Sequence, residues 1–453
     1  MSNYLKKCLT IMLILAFILS MTVGCGQKAE QQPDQSEKTT SEVKTEEAAK
    51  EEAMKPEDLK GSVSMWGWDE TAAKALIVEF NKKYPNVQVD YVPVAGGDFL
   101  KKIQTSFAAG MDLPDIGWQE RNQRGALYEL DIWEDLTKAP YNFDKSVVFD
   151  FSIPQVTNSK GITVGVPWDI SVGALAYKRD LAKQYFGTDD RKELEKLFSD
   201  WDAFIAKGKE VKEKSGGKVF MFPGTKDVMY ILDGQISLPV VNGNKLDMAN
   251  TWAKTLDLIV KMRDAGLTDK LDQWSSGWNA SLAGKNHIFY PCAIWFPHYV
   301  IESNDKNGKG NWGLMVPPGG GFTWGGTAMG ITKNSKTKEQ AWAFIDWCML
   351  SEEGIKANKE KVGFYSYLKK AYDDPSYASF KTDWFGAQDI GEVYFKELAS
   401  KMEQVRPASK YDSICDETSI LISKALNADL KFDAATATAK FAEELKNKAQ
   451  ELE

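Results

Sequence analysis

Residues 161–180 read GITVGVPWDISVGALAYKRD, and this stretch predicts a passage between two halves of a molecule. Two extended apolar runs, 162–166 and 172–177, flank a polar and aromatic insertion, Trp168-Asp169. The ring of Pro167 fixes one backbone dihedral and disfavours helix at Val166, while Gly173 leaves the chain free just after the insertion. A large aromatic beside a carboxylate, with β-type segments on both sides, suits a strand-to-strand passage that touches a ligand in a cleft. It equally suits a core Trp168 beside a surface Asp169, so the decision rests on the remainder of the chain.

With 453 residues, 43% apolar and 26% charged, the chain is long enough for two or three compact lobes and a large core. A net charge of −8 with no dense basic stripe argues against a nucleic-acid surface and against general attraction to anionic lipid. The two histidines, His287 and His298, leave little room for a His-rich metal site or a His general base. No P-loop and no G-x-S-x-G elbow is present, 304–311 lacks the acidic spacing of a calcium loop, and neither cofactor nor metal is expected. Tryptophan is plentiful at 15, and a buried indole needs a partner for its N–H, so many should sit at partly polar surfaces or clefts.

The first 24 residues read as a secretory signal: Lys6-Lys7, an apolar run over 9–19 too short to span a bilayer, and Thr22-Val23-Gly24 before Cys25. Small residues ending in Gly ahead of a Cys resemble the bacterial lipoprotein signal, which implies acylation of Cys25. Residues 25–60 then form the lipidated Cys and a polar spacer too poor in large apolar groups to order itself, a tether off a membrane surface.

The fold is expected from Gly61. A strand at 62–68, a helix at 71–84 stopped by Pro85, a strand at 87–94, a helix capped by Asp98 and ended by Gly110, and a strand at 114–119 alternate as in a parallel or mixed α/β sheet. Ligands meet such sheets at the loops after the strands' carboxyl ends, which here carry Trp68-Asp69, 95–98 and Trp118-Gln119-Glu120. Beyond the crossing stretch come a helical region at 192–214, a strand around 218–222, a helix at 248–265 and a strand-like run within 285–299 ahead of Trp295. At 324–327, WGGT, the chain crosses back. A strand at 327–332 follows, and Thr337 with Gln340 reads as a capping box for a helix to about 350. The remainder, from about Phe364, is mostly helical.

In order, SVSMWGWD at 62–69, LPDIGWQ at 113–119, VGVPWDISVGALAYKRDL at 164–181, NHIFYPCAIWF at 286–296 and GGTAMGITKNSKTKEQAWAFIDWCM at 325–349 resemble the landmarks of bacterial extracellular solute-binding proteins, family 1 type, of carbohydrate ABC importers. The resemblance implies a two-lobed periplasmic-binding-protein-like α/β fold, each lobe a mixed sheet flanked by helices, with the ligand cleft between lobes. It places lobe one at 61–168 and 326–363 and lobe two at 169–325 and 364–453. It further implies a monomeric, non-enzymatic, lipid-anchored protein on the extracellular face that delivers a sugar or oligosaccharide to a membrane permease.

Pyranose rings have apolar C–H faces and a rim of hydroxyls, so tryptophans cover the faces while carboxylates and amides bond the rim. On that chemistry the candidate ligand contacts are Trp68, Asp69, Gln119, Glu120, Trp168, Asp169, Trp278, Trp295, Trp324 and Tyr365. Trp66, Trp118 and Trp274 read first as core, and Asp115 as a sheet-end residue. Paired carboxylates and aromatic platforms would also serve a tethered glycoside hydrolase or a glycan-binding adhesin, which stay open as alternatives. Cys292, Cys348 and Cys415 allow at most one disulfide.

Overall fold

The computed structural model describes residues 55–403 and 405–453. The signal, Cys25 and nearly all of the tether lie outside them. Strand β1 (Gly61–Gly67), helix α1 (Glu70–Lys83), β2 (Val87–Pro93), α2 (Phe99–Ala108), β3 (Ile116–Glu120) and α3 (Arg121–Tyr128) follow one another in the expected alternation. Helix α1 forms because Asp69 Oδ1 accepts the Ala72 N–H at its start, while Leu76 and Phe80 at helical spacing bury one face. After a long excursion come β4 (Val166–Pro167) and β5 (Val172–Lys178), the two runs of the crossing stretch.

In the second half, helices α4 (Arg179–Phe186), α5 (Arg191–Leu197), α6 (Trp201–Ser215), α7 (Thr225–Gln235), α8 (Trp252–Asp264) and α9 (Ser276–Ser281) precede strands β6 (Phe289–Ala293), β7 (Trp312–Met315) and β8 (Phe322–Thr323). The return to the first half is β9 (Thr327–Ile331), with α10 (Lys338–Leu350) and α11 (Glu352–Ala357) behind it, and the chain ends on α12 (Asp412–Ala428) and α13 (Ala434–Lys448).

The strands make two main sheets, one per lobe. The first has the order β2-β1-β3-β9-β4, parallel between β1 and its neighbours and antiparallel where β9 meets β3 and β4. The second is centred on β5, which pairs antiparallel with β6 along one edge and with β7 and β8 along the other. All seven residues of β5 are buried, as expected for a strand covered on both faces.

Three passages between the sheets lie side by side. The Trp168 N–H donates to the Thr327 carbonyl, the Ile170 N–H to the Tyr365 carbonyl and the Trp324 N–H to the Ser171 carbonyl, at 2.8, 2.8 and 3.1 Å. The Tyr367 hydroxyl adds bonds to Ser171 N–H and Oγ. Gly326 makes this approach possible: its φ is +98, and a Cβ there would lie 2.7 Å from the Ser171 Cβ.

Several local expectations need correction. No ladder forms over 218–222, because Phe220 bridges His287 while Phe222 bridges Thr268, and the segment divides between two partners before Pro223-Gly224. Asp98 makes no cap. Gln123 reaches over from α3 instead, accepting the Leu100 N–H and donating to the Gly96 carbonyl. The capping box at Thr337 is not formed either, since Gln340 donates to the Lys60 carbonyl and Thr337 Oγ1 is left without a partner. Asp115 accepts both the N–H and the hydroxyl of Ser64, joining β1 to the start of β3. Cys292, Cys348 and Cys415 are buried and free.

Helix α3 packs at its one glycine on the segment before α12. A Cβ at Gly125 would lie 2.0 Å from the Ser409 carbonyl oxygen, a backbone atom that cannot swing aside. Gly125→Ala is expected to destabilise the protein by about 1–3 kcal/mol through overpacking. A melting temperature equal to the parent's would show that this contact yields freely.

Candidate functional site

The loops after the strand ends converge on a cleft of about 420 Å³ between the two sheets. Trp68 and Asp69 follow β1, Glu120 ends β3, Trp168 and Asp169 follow β4, Trp295 and Tyr299 follow β6, Gly326 precedes β9 and Thr327 begins it. Trp118, Trp274, Val300 and Phe364 complete the lining. The size fits a small ligand site, and an aromatic lining with a few polar groups is what such sites present.

The rings divide into a floor and a wall. On the floor, Trp68 meets Trp118 edge-on at 5.3 Å, Trp118 meets Trp168 at 4.8 Å and Trp168 meets Phe364 at 5.1 Å. Each pair is near perpendicular, the arrangement that aligns a positive ring edge with a negative face. Trp168 is 2% exposed and its indole N–H donates to Asn358 Oδ1 at 2.6 Å, so it supports the floor more than it offers a face. Asn358 is itself held by the Cys348 and Gly354 carbonyls. The indole N–H of Trp118, buried beside the cleft, has no protein partner.

On the wall, Trp295 and Trp274 lie 6.2 Å apart and both pack near Trp324. Trp274 is 47% exposed, and its φ of +69 lies in the left-handed region. A bulky residue with that backbone is an outlier worth explaining, since such strain costs of order 1–3 kcal/mol and collects at functional positions. Tyr299, also exposed, faces Phe364 at 6.5 Å.

Three carboxyl groups reach the cleft. Asp69 caps α1, and Asp169 is buried with its Oδ1 accepting the Thr327 N–H at 2.6 Å. Burial raises the Asp169 pKa, and that same N–H opposes the rise. Glu120 caps α3 by accepting the Asn122 N–H at 2.7 Å. Burial pushes it up to about 7 against the opposing charge of Arg124, whose guanidinium is spent on the Gly326 and Gln155 carbonyls.

Of the ten expected contacts, the structure brings Trp68, Asp69, Glu120, Trp168, Asp169 and Trp295 together. Gln119 is fully buried between the Val164 carbonyl and the Tyr128 hydroxyl. Trp278 is fully buried with its indole N–H on Asp227. Trp324 stacks on Tyr230 at 4.7 Å behind the wall, and Tyr365 turns its hydroxyl to the Ser379 carbonyl. Four aromatic residues outside those ten also line the cleft: Trp118 and Trp274, which read first as core, and Tyr299 and Phe364. Phe364 lies one residue from the expected Tyr365, whereas the φ of Trp274 has no sequence signature.

Among the described residues, no group of three His, Cys, Asp or Glu side chains is placed to hold a metal, and no helix is long and apolar enough to cross a membrane.

The Glu120 carboxyl gives the fold a pH dependence of definite sign. Between its ordinary 4.5 and about 7 the folded chain keeps a proton that the unfolded chain has released, so stability falls as pH rises through that window. Water in the open cleft screens part of this effect, leaving about 1–2 kcal/mol. Glu120→Gln, which keeps the capping oxygen, should therefore melt higher than the parent at about pH 8 and match it at about pH 5. An equal difference at both values would remove Glu120 as the source.

Comparison with known proteins gives concordant results. The sequence matches the family described as bacterial extracellular solute-binding protein over residues 75–383. A lactose-binding protein of Rhizobium radiobacter is 26% identical over 389 residues, 79% of this chain and 85% of that one. A solved extracellular solute-binding protein of family 1 superposes with a TM-score of 0.78 at 23% identity, covering 85% of this chain and 99% of that one. The galacto-N-biose/lacto-N-biose I-binding protein of an ABC transporter from Bifidobacterium longum, in complex with lacto-N-biose, superposes at 0.68 with 17% identity, covering 86% of this chain and 96% of that one. The family match takes in the whole second sheet, all of the first except β1, and all three passages between them, and the chain belongs to the bacterial extracellular solute-binding proteins.

Proposed function

We propose that this protein captures a sugar or short oligosaccharide in the cleft and delivers it to the permease of an ABC importer, held at the extracellular face of the membrane by lipid on Cys25. Its activity is binding rather than catalysis, in keeping with a family described as solute-binding and a relative described as lactose-binding. The observation that carries the sugar reading is the pairing of half-exposed rings, Trp68, Trp274 and Trp295, with carboxyl groups at their rim, Asp69 and Glu120. Apolar faces beside hydrogen-bond acceptors match the two-sided surface of a pyranose. The lactose-binding relative supports the same ligand class. With this reading go the lobe limits 61–168 with 326–363, and 169–325 with 364–453; the strands of each main sheet fall within them.

Calorimetric titration and thermal shift with lactose, maltose, cellobiose, xylobiose and galactobiose test the ligand class, since a ligand of the folded state raises its melting temperature. At least one is expected to bind. Trp274→Gly sharpens the test: covering ~50 Å² of ring at about 25 cal/mol per Å² gives ~1.3 kcal/mol, so affinity should fall roughly 10-fold. Glycine adopts the φ of +69 freely, so the ligand-free protein should melt no lower than the parent. Lower stability with unchanged affinity would make Trp274 a packing residue, and silence across the panel would overturn the sugar reading.

The anchor is tested separately. One acyl chain holds a protein only marginally, so at least two are expected on Cys25. Cys25→Ala should release the protein into the medium, and a variant that still sediments with membranes at high salt would point to another anchor.

A further inference from the structure

Trp274 is held in a conformation that its own residue type disfavours, with φ at +69 and nearly half its surface exposed. Such a residue persists only where its neighbours over-determine it. Those neighbours lead to one buried side chain that lies outside the cleft. Asp227, in the first turn of α7, is fully buried. Its Oδ1 accepts from Gln273 Nε2 at 3.2 Å and from the Trp278 indole N–H at 3.0 Å, and its Oδ2 lies 3.2 Å from the same indole nitrogen. Its side-chain partners thus flank Trp274, one residue before it and four after.

The surroundings close the remaining freedom. The Leu271 N–H donates to the Pro223 carbonyl at 3.0 Å, and a Cβ at Gly224 would lie 2.2 Å from the Leu271 oxygen, so the chain before the turn is pressed against the start of α7. After the turn, Ser275 Oγ caps α9 by accepting the Trp278 N–H. The Trp278 ring then backs the Trp274 ring at 5.0 Å. A buried carboxyl is expensive to keep without partners. The side-chain donors of this one both belong to the segment that carries Trp274.

We propose that Asp227 is a positioning residue: through Gln273 and Trp278 it clamps the turn 272–275 and aims the Trp274 ring into the cleft, setting ligand affinity from outside the site. The effect on affinity rests on the sugar-cleft reading; the clamp itself does not.

Fluorine NMR of the full chain grown with fluorotryptophan reads the clamp without any sugar. The Trp274 resonance is assigned by its loss in Trp274→Phe. In Asp227→Asn and in Gln273→Leu it should shift or broaden, while the resonances of the distant Trp252 and Trp312 stay in place. An unmoved Trp274 resonance in the folded variants would overturn the proposal. Should Asp227→Asn fail to fold, Gln273→Leu decides alone, because it removes only one donor at a partly buried position. Titration with the tightest disaccharide of the panel adds a second reading. Asp227→Asn should weaken binding about 5- to 10-fold in the parent and less than about 2-fold in Trp274→Gly. Equal losses in both backgrounds would mean that Asp227 acts through some other residue, against the proposal. A panel in which no sugar binds refutes the ligand reading and leaves the resonance result standing.

Discussion

The hydrogen bond from the Thr327 amide to the Asp169 carboxylate is the joint on which the arrangement depends. It ties the outgoing passage at 168–171 to the returning one at 324–327. A carboxyl group buried at this depth needs a hydrogen-bond partner, and the Thr327 N–H supplies one at 2.6 Å. Gly326 contributes by omission, since any side chain there would collide with Ser171 and push the two passages apart. Because both passages leave the ends of strands in one sheet and enter strands of the other, the groups around this joint necessarily lie at the mouth between the sheets. The cleft is where it is because the chain has to cross there.

That logic also explains how much the sequence revealed. The alternation of strand and helix over 61–120 was legible because apolar periods of 2 and 3.6 follow one another with clear stops at Pro85 and Gly110. The crossing stretch was legible because Pro167 disfavours helix just before Trp168-Asp169 and Gly173 leaves the chain free just after it. Six of the ten candidate contacts reach the cleft because loops after strand ends point to one place. The misses have specific causes. β3 is a central strand, buried on both faces, so Trp118 turns toward the cleft while Gln119 turns to Val164 and Tyr128. A polar residue at a strand end looked like a ligand contact but serves the interior. Phe364 and Tyr365 show the same alternation in extended chain, where a choice one residue off selects the opposite face. Trp274 escaped because a positive φ is set by tertiary clamps that leave no local pattern.

Floor and wall have different mechanical characters, and the difference bears on selectivity. The floor rings Trp68, Trp118, Trp168 and Phe364 form a continuous edge-to-face chain in which Trp168 is hydrogen-bonded to Asn358, so its shape is fixed by packing. The wall rings Trp274 and Trp295 are joined more loosely, with the Trp295 indole N–H reaching the Trp324 carbonyl at 3.4 Å. On the proposed function, a ligand resting on the floor alone gains apolar contact only there, whereas one that also meets the wall gains contact from both sets of rings. The strained turn under Trp274 is understandable on these terms. The turn sets the Trp274 ring against Trp278 at 5.0 Å and beside Trp324 at 6.0 Å while 47% of the residue stays exposed, so the backbone strain goes with a ring face kept open for a ligand to cover.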